Sequence, residues 1–133
     1  MKITAIRITP IAIKDPALLN AAGVHEPFGL RSIIEVEGAN GLVGLGETYG
    51  DAPVLGLLTR AAPHLVGMSA FDLNGMLARL KALAPQVSTG HVEMELAPGS
   101  LASNLVTSAF SAFEVAFMAV SYTHLTLPTS ELV

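Results

Sequence analysis

Leu30-Arg31-Ser32-Ile33-Ile34-Glu35-Val36-Glu37-Gly38-Ala39-Asn40-Gly41-Leu42-Val43-Gly44-Leu45-Gly46-Glu47 decides the fold of this chain. Leu30, Ile34 and Val36 fall on one side of an extended backbone and Arg31, Glu35 and Glu37 on the other, the alternation of a strand with one solvated face. Ile33 is the exception. Gly38-Ala39-Asn40-Gly41 reads as a hairpin turn, because Asn and Gly tolerate the positive φ that such turns need. Leu42 to Glu47 then returns as a second arm. Gly44 and Gly46 leave one face of that arm without side chains, so either another backbone packs closely there or the strand bends.

Upstream, Lys2 to Ile13 is rich in β-branched residues and adds a third strand. Plain alternation places Ile6 and Ile8 on one face and Ile3, Ile11 and Ile13 on the other, with the apolar phase changing near Pro10. A proline inside the run predicts an edge strand or a bulge. Between these strands lies Leu18-Leu19-Asn20-Ala21-Ala22-Gly23-Val24-His25-Glu26-Pro27-Phe28, read as a loop with one imidazole and with helix breakers at Gly23 and Pro27. A rigid scaffold can aim loop side chains without burying them, so this loop is expected to touch a ligand.

Downstream the period changes to that of helices. Asp51 is placed to cap a helix beginning at Ala52-Pro53, with Leu55, Leu58, Ala62 and Leu65 on one face, a kink or restart at Pro63 and an end at Gly67. Ser69 and Asp72 read as a capping box for a second helix through Leu73, Met76, Leu77, Leu80 and Leu83. Gln86 to Gly99 has no period and reads as a lid or a disordered excursion. From about Leu101 a last helix aligns Val106, Phe110, Phe113 and Phe117, a stripe expected to be core. The fold class is therefore α+β: a three-stranded antiparallel meander followed by a helical bundle.

Composition narrows the function. A chain of 133 residues is one domain, too short for a (β/α)₈ barrel of about 250 residues. Hydrophobic residues reach 51% against 14% charged, which speaks against disorder and suggests that part of the apolar surface faces a partner. Seven Lys and Arg residues are scattered over a chain of net charge −4, which leaves no basic patch for nucleic acid. The absence of cysteine removes disulfides and thiolate metal sites. No export signal follows Met1-Lys2. The apolar run from Leu101 to Val120 is interrupted by Ser103, Asn104, Thr107, Ser108, Ser111 and Glu114, so no membrane span and a cytoplasmic location are expected.

Few residues offer chemistry. Glu35 and Glu37 sit on a polar strand face, where a solvated charge is the ordinary outcome. His25, His64, His91 and His124 are too far apart in sequence for metal-site spacing. The glycines from Gly41 to Gly46 lie within a strand and lead into no helix, which removes the phosphate-loop reading. A lone loop histidine such as His25 is ordinarily a solvated group or a turn stabiliser.

Asp15-Pro16-Ala17-Leu18-Leu19-Asn20-Ala21-Ala22-Gly23-Val24-His25-Glu26-Pro27-Phe28, Arg31-Ser32-Ile33-Ile34-Glu35-Val36 and Gly44-Leu45-Gly46-Glu47-Thr48-Tyr49-Gly50-Asp51 together resemble the start of glucarate dehydratases of the enolase superfamily. Ala62-Pro63-His64-Leu65-Val66-Gly67 and Phe113-Glu114-Val115-Ala116 fit the same superfamily's N-terminal capping domain, so the resemblance reaches about Met118. It implies a domain that closes over a (β/α)₈ barrel and helps to select an acid-sugar substrate. The barrel of such enzymes supplies Lys and His bases and the carboxylates that hold Mg²⁺, none of which is expected in this fragment; a homo-oligomeric full-length enzyme is expected by the same implication. By this resemblance His25 matches a substrate-binding histidine, and Ser100, counted back from Glu114, takes the place of a substrate-binding threonine.

The resemblance stops abruptly. Val120-Ser121-Tyr122-Thr123-His124-Leu125-Thr126-Leu127-Pro128-Thr129 looks like a read-through translation of a transposon-end sequencing adapter. The expected division is a capping domain over 1–119 with an incomplete last helix, and a non-native tail over 120–133. Alternatives are a β-like tail turning at Pro128, a free-standing binding or interaction module, and the capping domain of another acid-sugar dehydratase.

Overall fold

The computed structural model describes residues 1–19, 25–86 and 102–130. Three antiparallel strands in the order β1-β2-β3 form the sheet: β1 spans Ile3–Leu19, β2 His25–Gly38 and β3 Val43–Tyr49. The meander read from the sequence is present. At the β2–β3 turn Gly41 adopts a φ of 81°, its N–H donates to the Gly38 carbonyl at 2.9 Å, and Asn40 Oδ1 accepts from the Leu42 N–H at 3.1 Å. Only a residue without Cβ takes that backbone conformation without strain.

The phase of β1 is set elsewhere than at Pro10. Ile3 lies opposite Gly38 and Ala5 opposite Glu37, so Thr4 is an extra residue, and its hydroxyl donates to the Glu37 carbonyl at 3.1 Å. This bulge resets the two-residue alternation. Ile3 consequently joins Ile6 and Ile8 against the core rather than facing away with Ile11 and Ile13. Pro10 pairs with Ser32 with no shift in register, on a strand that is indeed an edge. In β2, Ile34 and Val36 are fully buried, whereas Leu30, expected beside them, is 47% exposed.

Of the three helices, α1 at Ala52–Leu65 and α3 at Ala102–Ser130 cover one face of the sheet, and α2 at Leu73–Leu83 packs on both of them. The bare face of β3 receives a backbone, as one of the two sequence readings required. A Cβ on Gly44 would run into the Ala116 carbonyl oxygen, and one on Gly46 into that of Ala112. The spacings agree: two strand residues advance about 6.6 Å, and four helical residues advance about 6 Å. Ala109, Ala112 and Ala116 are buried along this contact. Beside them Phe113 and Phe117 are fully buried and meet edge to face, ring centroids 6.5 Å apart. Val106 and Phe110 pack at the margin of the same core. Asn104–Tyr122 is long and apolar enough to cross a membrane by length and composition alone. Within it Phe113, Phe117, Ala109, Ala112 and Ala116 are buried, whereas Val115, Met118 and Tyr122 are exposed.

The helix ends correct several expectations. Asp51 stands at the N-cap of α1 but makes no side-chain cap hydrogen bond. The buried face of α1 runs through Val54, Leu57, Leu58, Ala61 and Leu65, with Leu55 at its edge. Pro63 neither breaks nor restarts the helix; it falls in the last turn, two residues before the end at Leu65. Arg79 donates to the carbonyl of His64 in that turn, and Gly67, just beyond, takes φ 92°. Ser69 and Asp72 do not form a capping box. Asp72 is itself the N-cap, accepting from the Gly75 N–H at 2.9 Å, and Ser69 Oγ accepts from the Phe71 N–H at 3.2 Å in a turn before it.

A 3-10 turn at Ala84–Gln86 follows α2, and the rest of the expected lid, through Gly99, lies outside the described residues. Helix α3 continues unbroken across 119–120 to Ser130, which overturns the β-like tail: an already packed helix propagates its hydrogen-bond ladder at little cost. Val120 is buried, where it would meet a side chain placed on Gly38 or Gly44, and Ser121 Oγ donates back to the Phe117 carbonyl at 3.1 Å.

Two stability measurements check this packing. Gly46→Ala is expected to lower the unfolding free energy by about 1–3 kcal/mol, because overpacking forces α3 away from β3. An unchanged denaturation midpoint would contradict the contact. Asp72→Ala is expected to cost about 1 kcal/mol through loss of the cap, whereas Ser69→Ala costs less, the opposite ranking to a capping box.

Candidate functional site

The β1–β2 hairpin extends well beyond the helices. Its ladder continues through Lys14–Phe28, then Leu18–Glu26 and Leu19–His25. Both ends of the segment first read as a loop are thus strand, and residues 20–24 lie outside the described residues. Between the last regular pair and the tip pairs, β1 advances from Lys14 to Leu18 while β2 advances only from Glu26 to Phe28. Pro16 and Pro27 both fall in this break, and neither has an N–H to give to a ladder. His25 begins β2 opposite Leu19, a contour of roughly 30 Å along the strand from the buried Ile34. The backbone therefore carries His25 out on an arm.

At the base of the arm the chain makes a second loop. Gly50 N–H donates to the Leu30 carbonyl at 3.1 Å, and a Cβ on Gly50 would come within 2.6 Å of the Leu30 carbonyl carbon. The segment after β3 is thereby pressed onto the backbone of β2. Arg31 Nε lies 2.8 Å from Glu47 Oε1, and the guanidinium sits 5.4 Å from the Tyr49 ring centre. The sequence reading missed this grouping. Its only trace was the cross-strand register, Arg31 opposite Tyr49 and Ile33 opposite Glu47, which is not visible until the strands are paired.

The remaining carboxylates do what a solvated strand face ordinarily does. Arg7 reaches Glu35 Oε2 at 3.0 Å and Glu37 Oε2 at 4.0 Å, all three side chains being at least one-third open to solvent or close to it. The hydrogen bond to Glu35, and then its charge, raise the already high pKa of Arg7. Among the described residues no three His, Asp or Glu side chains stand together as a metal site. The described residues alone offer no such set for Mg²⁺. Ser100 lies outside the described residues, and His25 is described in its backbone alone.

No protein-family model matches the chain. A probable glucarate dehydratase from Streptomyces coelicolor is 42% identical over 99% of this chain and 31% of its own length. The solved enolase from Pseudomonas fluorescens Pf0-1 with bound magnesium, potassium and tartrate is 48% identical, with a TM-score of 0.85 over 98% of this chain and 31% of that one. In sequence and in fold the chain is similar to the N-terminal capping part of enolase-superfamily enzymes. A second solved enolase, from Thermobispora bispora DSM 43833 with magnesium and formate, agrees at 36% identity and a TM-score of 0.77, over 94% of this chain and 30% of that one. The capping domain spans about a third of the length of the relatives it matches.

The Arg31–Glu47 pair is expected to contribute little to stability. Its side chains are 34% and 53% exposed, so a double-mutant cycle of Arg31→Ala and Glu47→Ala should give a coupling of about 0.2–1 kcal/mol. A coupling of several kcal/mol would mean that the arm base is far drier than the structure shows.

Proposed function

We propose that this chain is the substrate-capping part of a magnesium-dependent acid-sugar dehydratase similar to glucarate dehydratase. The observation that carries the reading is the 42% identity to a probable glucarate dehydratase along 99% of the chain, joined to an arm that delivers His25. In the proposed enzyme, a barrel continues the chain, and its Lys and His bases remove the proton next to the substrate carboxylate. A magnesium ion held by the barrel would supply stabilisation of the negative charge that develops there, and the neighbouring hydroxyl would leave as water. The part played by this domain is recognition. His25 hydrogen-bonds an acid-sugar oxygen and Ser100 offers a hydroxyl, and closure of the cap dries the site and strengthens both contacts.

The partner in this account is the barrel. Val115 at 57% and Met118 at 46% exposure give α3 an outward apolar patch, and Leu45 and Phe71 are also at least half open. The phenylalanine stripe is not that surface, because Phe113 and Phe117 are fully buried against the sheet. The proposal keeps 1–119 as the capping domain, with 120–133 as a non-native tail on the strength of its adapter-like string. It also keeps a cytoplasmic, homo-oligomeric full-length enzyme.

The purified chain with Mg²⁺ is expected to leave glucarate unchanged, since the reacting groups belong to the barrel; turnover by these 133 residues would overturn the assignment. In a chain joined to its barrel, His25→Ala should lower kcat/KM for glucarate by about 10- to 100-fold, the loss of one hydrogen bond to a charged group at about 1.5–3 kcal/mol. Undiminished activity would remove His25 from the substrate. Preference for another acid sugar across a substrate panel would move the substrate and leave the capping role in place.

A further inference from the structure

We draw no further inference here: the strongest candidate, the outward apolar surface patch of Val115 and Met118 on α3, belongs to the surface already proposed for the barrel, and nothing in the structure shows what else covers it.

Discussion

The close approach of α3 to β3 is the contact on which the rest of the domain depends. Gly44 and Gly46 present bare backbone at the spacing at which Ala112 and Ala116 present their carbonyls. With the helix axis this near the strand, Phe113 and Phe117 are fully buried in the one core that the sheet and the helices share. A larger residue at either glycine would lift α3 and open a cavity around both rings. Beyond this contact the helices lie over the Ile34–Val36 part of the sheet and leave Leu30, farther out on the same face of β2, 47% exposed.

That arrangement separates holding from presenting. The helix-covered half of the sheet has apolar burial on one side and exposed ion pairs on the other. The ladder of the arm is broken between Lys14 and Leu18, where the two prolines interrupt its pairing. Such a segment owes its position to the rest of the hairpin and to whatever it closes upon. A domain of this kind can select a ligand while leaving the reacting groups to another part of the enzyme.

Much of the fold was legible because its signals are local. Asn40-Gly41 needs no partner to announce a turn, and the glycine pair in β3 announces either a close approach or a bend, of which the structure has the first. The bulge at Thr4 was not legible, because an extra residue shows itself only in the register with β2, and Thr is an ordinary strand residue. Ser69 and Asp72 misled for a related reason: both side chains accept backbone N–H groups, and Ser69 is held apart from the helix by its bridge to Lys2. The candidate site was less legible still. His25 reads from residues alone as one loop imidazole, and its assignment to substrate comes from the resemblance. The Arg31, Glu47 and Tyr49 grouping needed paired strands to exist.

The central claim, a recognition domain whose chemistry lies in a following barrel, is met most directly by sequencing the parent gene across the codons for Val115 to Thr129. The account predicts that the frame departs from the present sequence near Val120 and continues into a (β/α)₈ barrel bearing the bases and metal-binding carboxylates. A frame that reads through Thr129 as written and ends at Val133 would contradict it, and would leave a free-standing module in its place.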